Sequence, residues 1–439
     1  MFKETSKELL DFLSKSPTAF HAVENYRQIL NADGFKELLE SEHWDIVPGG
    51  KYYVTRNNTS ILAFKVGTKL DNYSFNIVTS HTDSPTFKVK ENAEIEVKNK
   101  YTQLNTEGYG GMLCATWLDR PLSIAGRVLV SEGNSIVTKL LNIDRDLLMI
   151  PNVAIHMNRA ANDGFKYNLQ VDMLPLLSAG DDRQKDFKQI IADELGVKKE
   201  DILGHDLYLY NRMAPSIWGA NEEFISAGHL DDLQCGFASL KALLSGYNDE
   251  SIDIMACFDN EEVGSGTKQG ADSTLLRDTL TRINNALGKT EEDYHRALAS
   301  SFMLSADNAH AVHPNHPEHT DATNCTYMNE GVVVKSHAGQ KYTSDGVSMA
   351  VVKSLASGAD VPLQYFANRS DKAGGSTLGN IAMAQASMNA VDIGLPQLAM
   401  HSSYETAGIK DTYYAISLMK ALFDSHIQET STHSLEIKS

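Results

Sequence analysis

Residues 252–262 have the sequence IDIMACFDNEE, in which a largely apolar run ends in three acidic side chains. The run has the length and composition of a buried strand. In open α/β sheets, ligands bind in the crevice beyond the carboxyl ends of the strands. The stretch therefore predicts an α/β fold in which Asp259, Glu261 and Glu262 lie at the ligand-binding edge of a sheet.

Four more short apolar runs along the chain end in potential metal ligands. They lead into His81 with Asp83, Asp231 with Asp232, Asp307, and His401. Acidic residues and histidines are rarely buried unless they are paired or bind a metal. Because all these side chains follow core-like segments, we expect them to gather in one cleft.

The composition of the chain limits its class. It has 439 residues, of which 42% are hydrophobic and 22% are charged. These fractions are typical of a globular protein, and the length favours two domains over one. No stretch approaches the roughly 18 uncharged apolar residues of a membrane span. The formal net charge of -18 argues against binding to nucleic acid or to anionic membranes.

The four cysteines, Cys114, Cys235, Cys257 and Cys325, are widely spaced and form no CxxC pair. This spacing predicts buried thiols in preference to disulfides or zinc-thiolate ligands. The first seven residues lead into a charged amphipathic segment that has no apolar signal-peptide stretch. Together these features predict a cytoplasmic protein.

The pattern of apolar residues divides the chain into two parts. Residues 1–87 and 223–439 alternate helical and strand-like segments, which predicts a discontinuous catalytic α/β domain. Residues 88–222 are predicted to form an inserted β-rich domain, because short alternating strands and turns predominate there. Near the C-terminus, residues 377–389 are predicted to be helical, and the polar tail 429–439 is predicted to be disordered.

Each acidic or histidine motif has two interpretations when it is considered alone. The pair Glu261-Glu262 can supply one metal-binding carboxylate and one general base for a bound water, or it can be a solvated acidic loop. Asp232 can cap a helix, and His401 can be a satisfied core histidine. His81 and Asp83 fit a metal ligand and the carboxylate that orients it.

The complete set favours metal binding. Two histidines and three carboxylates make a mixed nitrogen and oxygen site that suits Zn²⁺, and also Mn²⁺ or Co²⁺. If Asp231 serves two ions, each ion receives three protein ligands. Coordination then stays open for water and substrate, which is the pattern of a catalytic site.

The motifs and their order resemble those of the aspartyl aminopeptidase family of di-zinc exopeptidases over nearly the whole chain. The matching segments are SPTAFHA at 16–22, SHTDSP at 80–85, LDD at 230–232, DNEEVGS at 259–265, SADNAHAVHPN at 305–315 and MHS at 400–402. The resemblance implies a three-layer α/β/α di-zinc peptidase domain with an inserted β-rich dimerisation domain. It also implies a cis peptide between Asp231 and Asp232.

The same resemblance implies two zinc ions and a role for each site residue. His81, Asp231 and Asp307 hold one ion, Asp231, Glu262 and His401 hold the other, Glu261 is the catalytic base, and Asp83 orients His81. The substrates implied are peptides with a free N-terminus.

Oligomeric relatives imply further contacts with the substrate. The segment IPNVAIH at 150–156 resembles the one that sends a histidine, here His156, into the partner subunit's site, within dimers that assemble into a tetrahedral dodecamer. Many relatives have a histidine where this chain has Asn152. His310, Lys335 and Tyr342 match positions that line the pocket for the first side chain in relatives that prefer Asp or Glu. Lys335 also fits a surface lysine.

Three functions stay open from the residues alone. The first is a metal-dependent aminopeptidase, the second is a di-zinc deacylase or carboxypeptidase, and the third is an oligomeric scaffold without catalysis. The presence of Glu261 together with all five metal ligands favours an enzyme over the scaffold.

Overall fold

The computed structural model describes residues 1–180 and 186–438. Its helices are α1 (Phe2–Ser14), α2 (Ala19–Ala32), α3 (Phe187–Leu195), α4 (Leu230–Ser245), α5 (Leu275–Ala286), α6 (Glu291–Ala299), α7 (Gly346–Gly358), α8 (Leu378–Gln385) and α9 (Asp411–Phe423). The strands of the first half are β1 (Lys36–Leu38), β2 (Lys51–Arg56), β3 (Ser60–Val66), β4 (Ser74–His81), β5 (Thr86–Val97), β6 (Tyr101–Tyr109), β7 (Leu122–Glu132), β8 (Ser135–Asn142), β9 (Leu176–Ala179), β10 (Ile202–Asn211) and β11 (Ser216–Trp218). Those of the second half are β12 (Phe224–Ala227), β13 (Ser251–Phe258), β14 (Phe302–Ala306), β15 (Ala309–His310), β16 (Val332–Lys335), β17 (Leu363–Phe366), β18 (Asn389–Gly394), β19 (Pro396–Leu398), β20 (Glu405–Gly408), β21 (His426–Ser431) and β22 (Ser434–Lys438).

The strand that precedes the acidic motif, β13, lies near the centre of a nine-stranded sheet. The strand order is β1-β2-β3-β13-β4-β14-β18-β16-β17. The four central strands, β13, β4, β14 and β18, run parallel, so their carboxyl ends meet at one edge. Neighbouring β3 and β16 run antiparallel to this centre.

Helices cover both faces of this sheet because its central strands are apolar on both sides. Along β13, Met255 and Cys257 join the core beneath α1, α2, α4, α7 and α9, whereas Ile254 and Phe258 join the core beneath α5, α6 and α8. A sheet between two helical layers buries both of its faces. The expected three-layer α/β/α domain is therefore confirmed.

The inserted segment forms its own six-stranded sheet, ordered β8-β7-β10-β5-β6-β9. Its separate core includes Phe87, Trp117 and Leu209, and α3 contributes Phe187 and Ile191. The expected β-rich insert is therefore present. Its sheet runs from residue 86 to residue 211, and the domain limits 88–222 stay a prediction.

A five-stranded sheet, which the sequence did not predict, joins distant parts of the chain. Its order is β11-β12-β20-β19-β15. The strand before α4, β12, pairs with β20, and β15, which follows Asp307, pairs with β19. This pairing brings the start of α4 close to the loop after β19, where His401 lies.

Near the C-terminus, one predicted helix is present but shorter than expected, and the predicted disordered tail is wrong. The helix predicted for residues 377–389 ends at Gln385, and β18 begins at Asn389 between β14 and β16. The tail predicted to be disordered forms the β21–β22 hairpin, whose Leu435 and Ile437 pack against the core. Alternating apolar residues in this tail are a strand pattern that its polar composition obscured. Ser439 lies outside the described residues.

Other expectations from composition can be compared with the structure. Cys235 and Cys257 are buried, Cys114 and Cys325 are half-buried, and all four are unpaired. Among the residues that the structure describes, no helix has the length and apolar character needed to cross a membrane.

Candidate metal centre

Asp231 occupies the middle of a buried cluster of histidines and carboxylates. It follows β12 at the start of α4, and its peptide bond to Asp232 is cis, as the resemblance implied. Its Oδ1 lies 3.4 Å from Nε2 of His81, and its Oδ2 lies 3.5 Å from Nε2 of His401. One carboxylate therefore faces two imidazoles through its two oxygens.

The structure brings the predicted metal ligands together. Ligand atoms within 4.8 Å of one another form three groups: His81 with Asp231 and Asp307, Asp231 with Glu262 and His401, and His81 with Glu261 and Glu262. The first two groups share Asp231. Their membership matches the two ligand sets that the resemblance implied.

The cluster is assembled from two sheets. His81 ends β4, Asp307 follows β14, and Glu261 with Glu262 forms a 3-10 turn after β13, all at one edge of the nine-stranded sheet. Asp231 and His401 come from the other side, after β12 and β19 of the five-stranded sheet. The cluster therefore combines candidate ligands from both sheets.

Negative charge dominates this cluster. Burial and then the charge of Asp231 raise the pKa of Glu262 well above its usual value, and burial raises the pKa of Glu261 to about 7. Burial lowers the pKa of His81, but the carboxylates of Asp231 and Asp83 outweigh it and raise that pKa. Asp231 Oδ1 and Glu262 Oε1 are buried without a hydrogen-bond partner among the described residues. A bound cation would offset the negative charge of these groups.

The spacing of the donor atoms fits zinc. Two ligand atoms that each lie about 2.0–2.1 Å from a tetrahedral Zn²⁺ are roughly 3.3 Å apart. His401 Nε2 lies 3.3 Å from Glu262 Oε1 and 3.5 Å from Asp231 Oδ2. These gaps are long for hydrogen bonds but suitable for ligands that surround one ion.

Asp83 connects the histidine to the acidic turn. Its Oδ1 lies 3.4 Å from His81 Nδ1 and accepts a hydrogen bond of 3.1 Å from the backbone N–H of Glu261. Its Oδ2 accepts bonds of 3.2 Å from the Glu262 N–H and of 2.6 Å from the Tyr109 hydroxyl. Asp83 therefore fixes the turn that carries Glu261 and Glu262 as well as the ring of His81.

Sequence reasoning missed several supporting residues. The buried carboxylate of Glu405 accepts hydrogen bonds from the backbone N–H groups of Asp231 at 3.0 Å and His401 at 2.8 Å. Two contacts come from the insert: the Tyr109 hydroxyl, and the carbonyl of Gly111, which accepts from His401 Nδ1 at 3.0 Å. Of these residues, only Glu405 could have been suspected from the sequence, because it lies four positions after His401.

The predicted substrate residues lie in different places. Lys335 is only 4% exposed, so it is not a surface lysine. Its Nζ lies 3.7 Å from Asp307 Oδ1, donates to the Asn308 carbonyl at 2.8 Å, and sits 5.7 Å from the centre of the Tyr342 ring. His310 lines a nearby cavity of about 260 Å³. His156 is exposed on the insert, and none of the donor groups found among the described residues includes it.

Comparison with known proteins identifies the family. The sequence profile described as "Aminopeptidase I zinc metalloprotease (M18)" matches residues 12–423. The chain is 48% identical to a probable M18 family aminopeptidase 2 from Clostridium novyi, over 95% of this chain and 98% of the relative. It is 39% identical to a probable M18 family aminopeptidase 2 from Stutzerimonas stutzeri, over 97% and 99%.

Solved structures agree with this result. A cryo-EM structure of an Ape4 and Nbr1 complex superposes with a TM-score of 0.93 at 35% identity, covering 96% of this chain and 86% of the other. A dodecamer of mApe1 from S. cerevisiae gives 0.84 at 28% identity, with coverage of 96% and 97%. These matches favour an aminopeptidase over the deacylase, carboxypeptidase and scaffold alternatives. The chain belongs to the M18 family of zinc metalloproteases and is a metal-dependent aminopeptidase.

Proposed function

We propose that this aminopeptidase uses two zinc ions per subunit to remove N-terminal residues from peptides. The observation that carries the proposal is the position of the Asp231 carboxylate, whose two oxygens lie 3.4 Å and 3.5 Å from Nε2 of His81 and His401. Asp307 completes a three-ligand set on one side, and Glu262 completes a set on the other. Mn²⁺ or Co²⁺ are possible substitutes, since the same donors suit them.

Glu261 is the proposed general base. When bound, two zinc ions polarise the scissile carbonyl and lower the pKa of a bound water. With the metal bound, the Glu261 carboxylate would accept a proton from the attacking water and return it to the leaving amine. Burial raises the pKa of this carboxyl to about 7, which suits a group that must accept and return a proton near neutral pH. Asp83 holds the Glu261 N–H and so keeps the base in position.

The excess of carboxylates around the site supports an exopeptidase. A protonated α-amine is attracted to a cluster of negative charge, whereas an acetylated N-terminus or an internal peptide bond offers no such charge. Peptides with a free N-terminus are therefore the proposed substrates.

A preference for N-terminal Asp or Glu is proposed from Lys335. Its buried ammonium lies near the metal ligand Asp307 and the ring of Tyr342. Burial alone would lower the pKa of Lys335. The nearby acidic groups, Asp307 first among them, more than offset this effect, so the pKa lies above its ordinary value. The protonated amine of Lys335 can pair with a substrate carboxylate. His310 lines the adjoining cavity and is proposed to contact the same side chain.

The proposed assembly is a homodimer in which the insert of each subunit contributes His156 to the partner's site, with dimers assembled into a tetrahedral dodecamer. Support comes from the S. cerevisiae mApe1 dodecamer, whose fold this chain shares. The segment around His156 also exposes apolar side chains, including Val153, Ile155 and Met157. An exposed apolar segment of this kind is typical of a protein interface.

The first prediction concerns the base. Glu261→Gln keeps the shape of the side chain but cannot accept a proton, so kcat on a dipeptide with a free N-terminus is expected to fall about 10²–10⁴-fold. Zinc content, measured by mass spectrometry of the dialysed protein, is expected to match the wild type. Glu292→Gln, in the first turn of α6, serves as the control and keeps full activity. An unchanged kcat in the zinc-loaded Glu261→Gln variant would exclude this base.

The second prediction separates two roles of Lys335. If it binds the substrate carboxylate, Lys335→Met is expected to lower kcat/KM for Asp and Glu substrates by about 10–100-fold, the worth of a charged hydrogen bond of about 1.5–3 kcal/mol. The values for Ala and Leu substrates should change little. An equal loss on all four substrates would contradict a specificity role and would indicate that Lys335 only positions Asp307.

The third prediction tests the shared site. Glu261→Gln and His156→Ala are each expected to be nearly inactive alone. In a mixed dimer, the His156→Ala subunit keeps its base and receives His156 from the partner, so one site is complete. Random mixing should therefore restore about a quarter of wild-type activity, because half of the dimers are mixed and each has one of two sites intact.

The measurement is the steady-state rate after the two variants are dissociated together and reassociated. A mixture that stays at the level of the separate variants, with the dimer verified by light scattering, would show that His156 does not act across the interface.

A further inference from the structure

Three histidines outside the catalytic cluster lie next to one another at the surface. They belong to the sequence HPNHPEH at residues 313–319. The ring centres of His313 and His316 are 5.4 Å apart, as are those of His316 and His319, with interplanar angles of 36° and 33°. Pro314 and Pro317 restrict the backbone between the rings, so the imidazoles are held near one another before any ligand arrives.

A glutamate completes a set of three converging donors. Ligand atoms of His316, Glu318 and His319 lie within 4.8 Å of one another. Oε1 of Glu318 lies 3.0 Å from Nδ1 of His316 and 3.9 Å from Nε2 of His319. Two imidazoles and one carboxylate are the donor types that hold zinc in open sites.

The backbone around Glu318 is anchored from a second loop. Residues Pro317–His319 form a 3-10 turn. The guanidinium of Arg369 donates to the backbone carbonyl of Glu318 and pairs with Asp371 at 2.9 Å. Arg369 bonds to the backbone carbonyl of Glu318, whereas the Glu318 carboxylate contacts His316 and lies near His319. The turn therefore presents its donors from a fixed backbone.

We propose that His316, Glu318 and His319 form an additional divalent metal site, separate from the catalytic cluster. Two imidazoles favour Zn²⁺, Ni²⁺ or Cu²⁺ over Mg²⁺ or Ca²⁺, which prefer oxygen. The three side chains are 57%, 59% and 64% exposed, so water fills the remaining coordination positions.

One residue of the site, His319, lines a cavity that also contains His310. His313 and His319 line the same cavity of about 260 Å³ as His310 and Ala399, two residues before His401. Arg369 and Lys372 also line this cavity. An ion held by His316, Glu318 and His319 adds positive charge to a wall that is already cationic.

A matched control exists on the surface of α6. His295 Nε2 lies 3.9 Å from Oε1 of Glu291, and the side chain of His295 is 64% exposed. This pair has the same spacing as His319 with Glu318, and its histidine is equally exposed, but it belongs to none of the converging donor groups among the described residues. The effect of removing His295 therefore shows how much metal one histidine and one glutamate bind without a third donor.

The test is equilibrium dialysis of the full-length protein against Zn²⁺, and separately against Ni²⁺, followed by metal and protein analysis. Wild type and His295→Gln are expected to hold one more equivalent of metal than His316→Gln and His319→Gln, at every free concentration that saturates the site. The difference does not depend on how many ions the catalytic cluster holds.

Equal metal-to-protein ratios in all four proteins would overturn the proposal, and so would an equal loss in His295→Gln. Circular dichroism shows whether each variant is folded. Glu318→Gln supplies a second variant that keeps both histidines, and it is expected to weaken binding of the additional equivalent at subsaturating metal.

Discussion

The rest of the site depends on the contacts of the buried Asp231 carboxylate with the imidazoles of His81 and His401. This carboxylate lies among further buried or half-buried acidic groups, those of Asp83, Glu261, Glu262 and Asp307. Two like charges about 4 Å apart repel by about 4 kcal/mol at an effective dielectric constant of 20. Divalent cations remove this repulsion, and the cluster is arranged so that each candidate ion faces three ligands.

The fold supplies these ligands by bringing two sheets and an insert together. The parallel strands β4, β13 and β14 deliver their carboxyl ends to one edge, while β12 and β19 approach from the five-stranded sheet. The insert adds the Tyr109 hydroxyl and the Gly111 carbonyl, which hold Asp83 and His401. The insert therefore orients Asp83 and the candidate metal ligand His401, in addition to the interface role proposed for it.

Local patterns predicted much of this arrangement. The apolar runs before His81, Glu261 and Asp307 are central strands, and their acidic or histidine ends follow from the geometry of a parallel sheet. Glu405 was missed because its role depends on the pairing of β19 with β20 and of β12 with β20, which are contacts between distant segments. The burial of Lys335 likewise depends on the loop that carries Asp307. The strand β18 was missed because its apolar run directly follows a helix.

The central proposal is that Asp231 would serve as a ligand to two zinc ions, and anomalous diffraction at the zinc absorption edge tests it most directly. In crystals of the zinc-loaded enzyme, the account predicts two anomalous peaks about 3.5–4 Å apart, one beside each oxygen of Asp231. One peak should lie near His81 and Asp307 and the other near Glu262 and His401. A single peak at full zinc occupancy, or two peaks that do not share Asp231, would contradict the account.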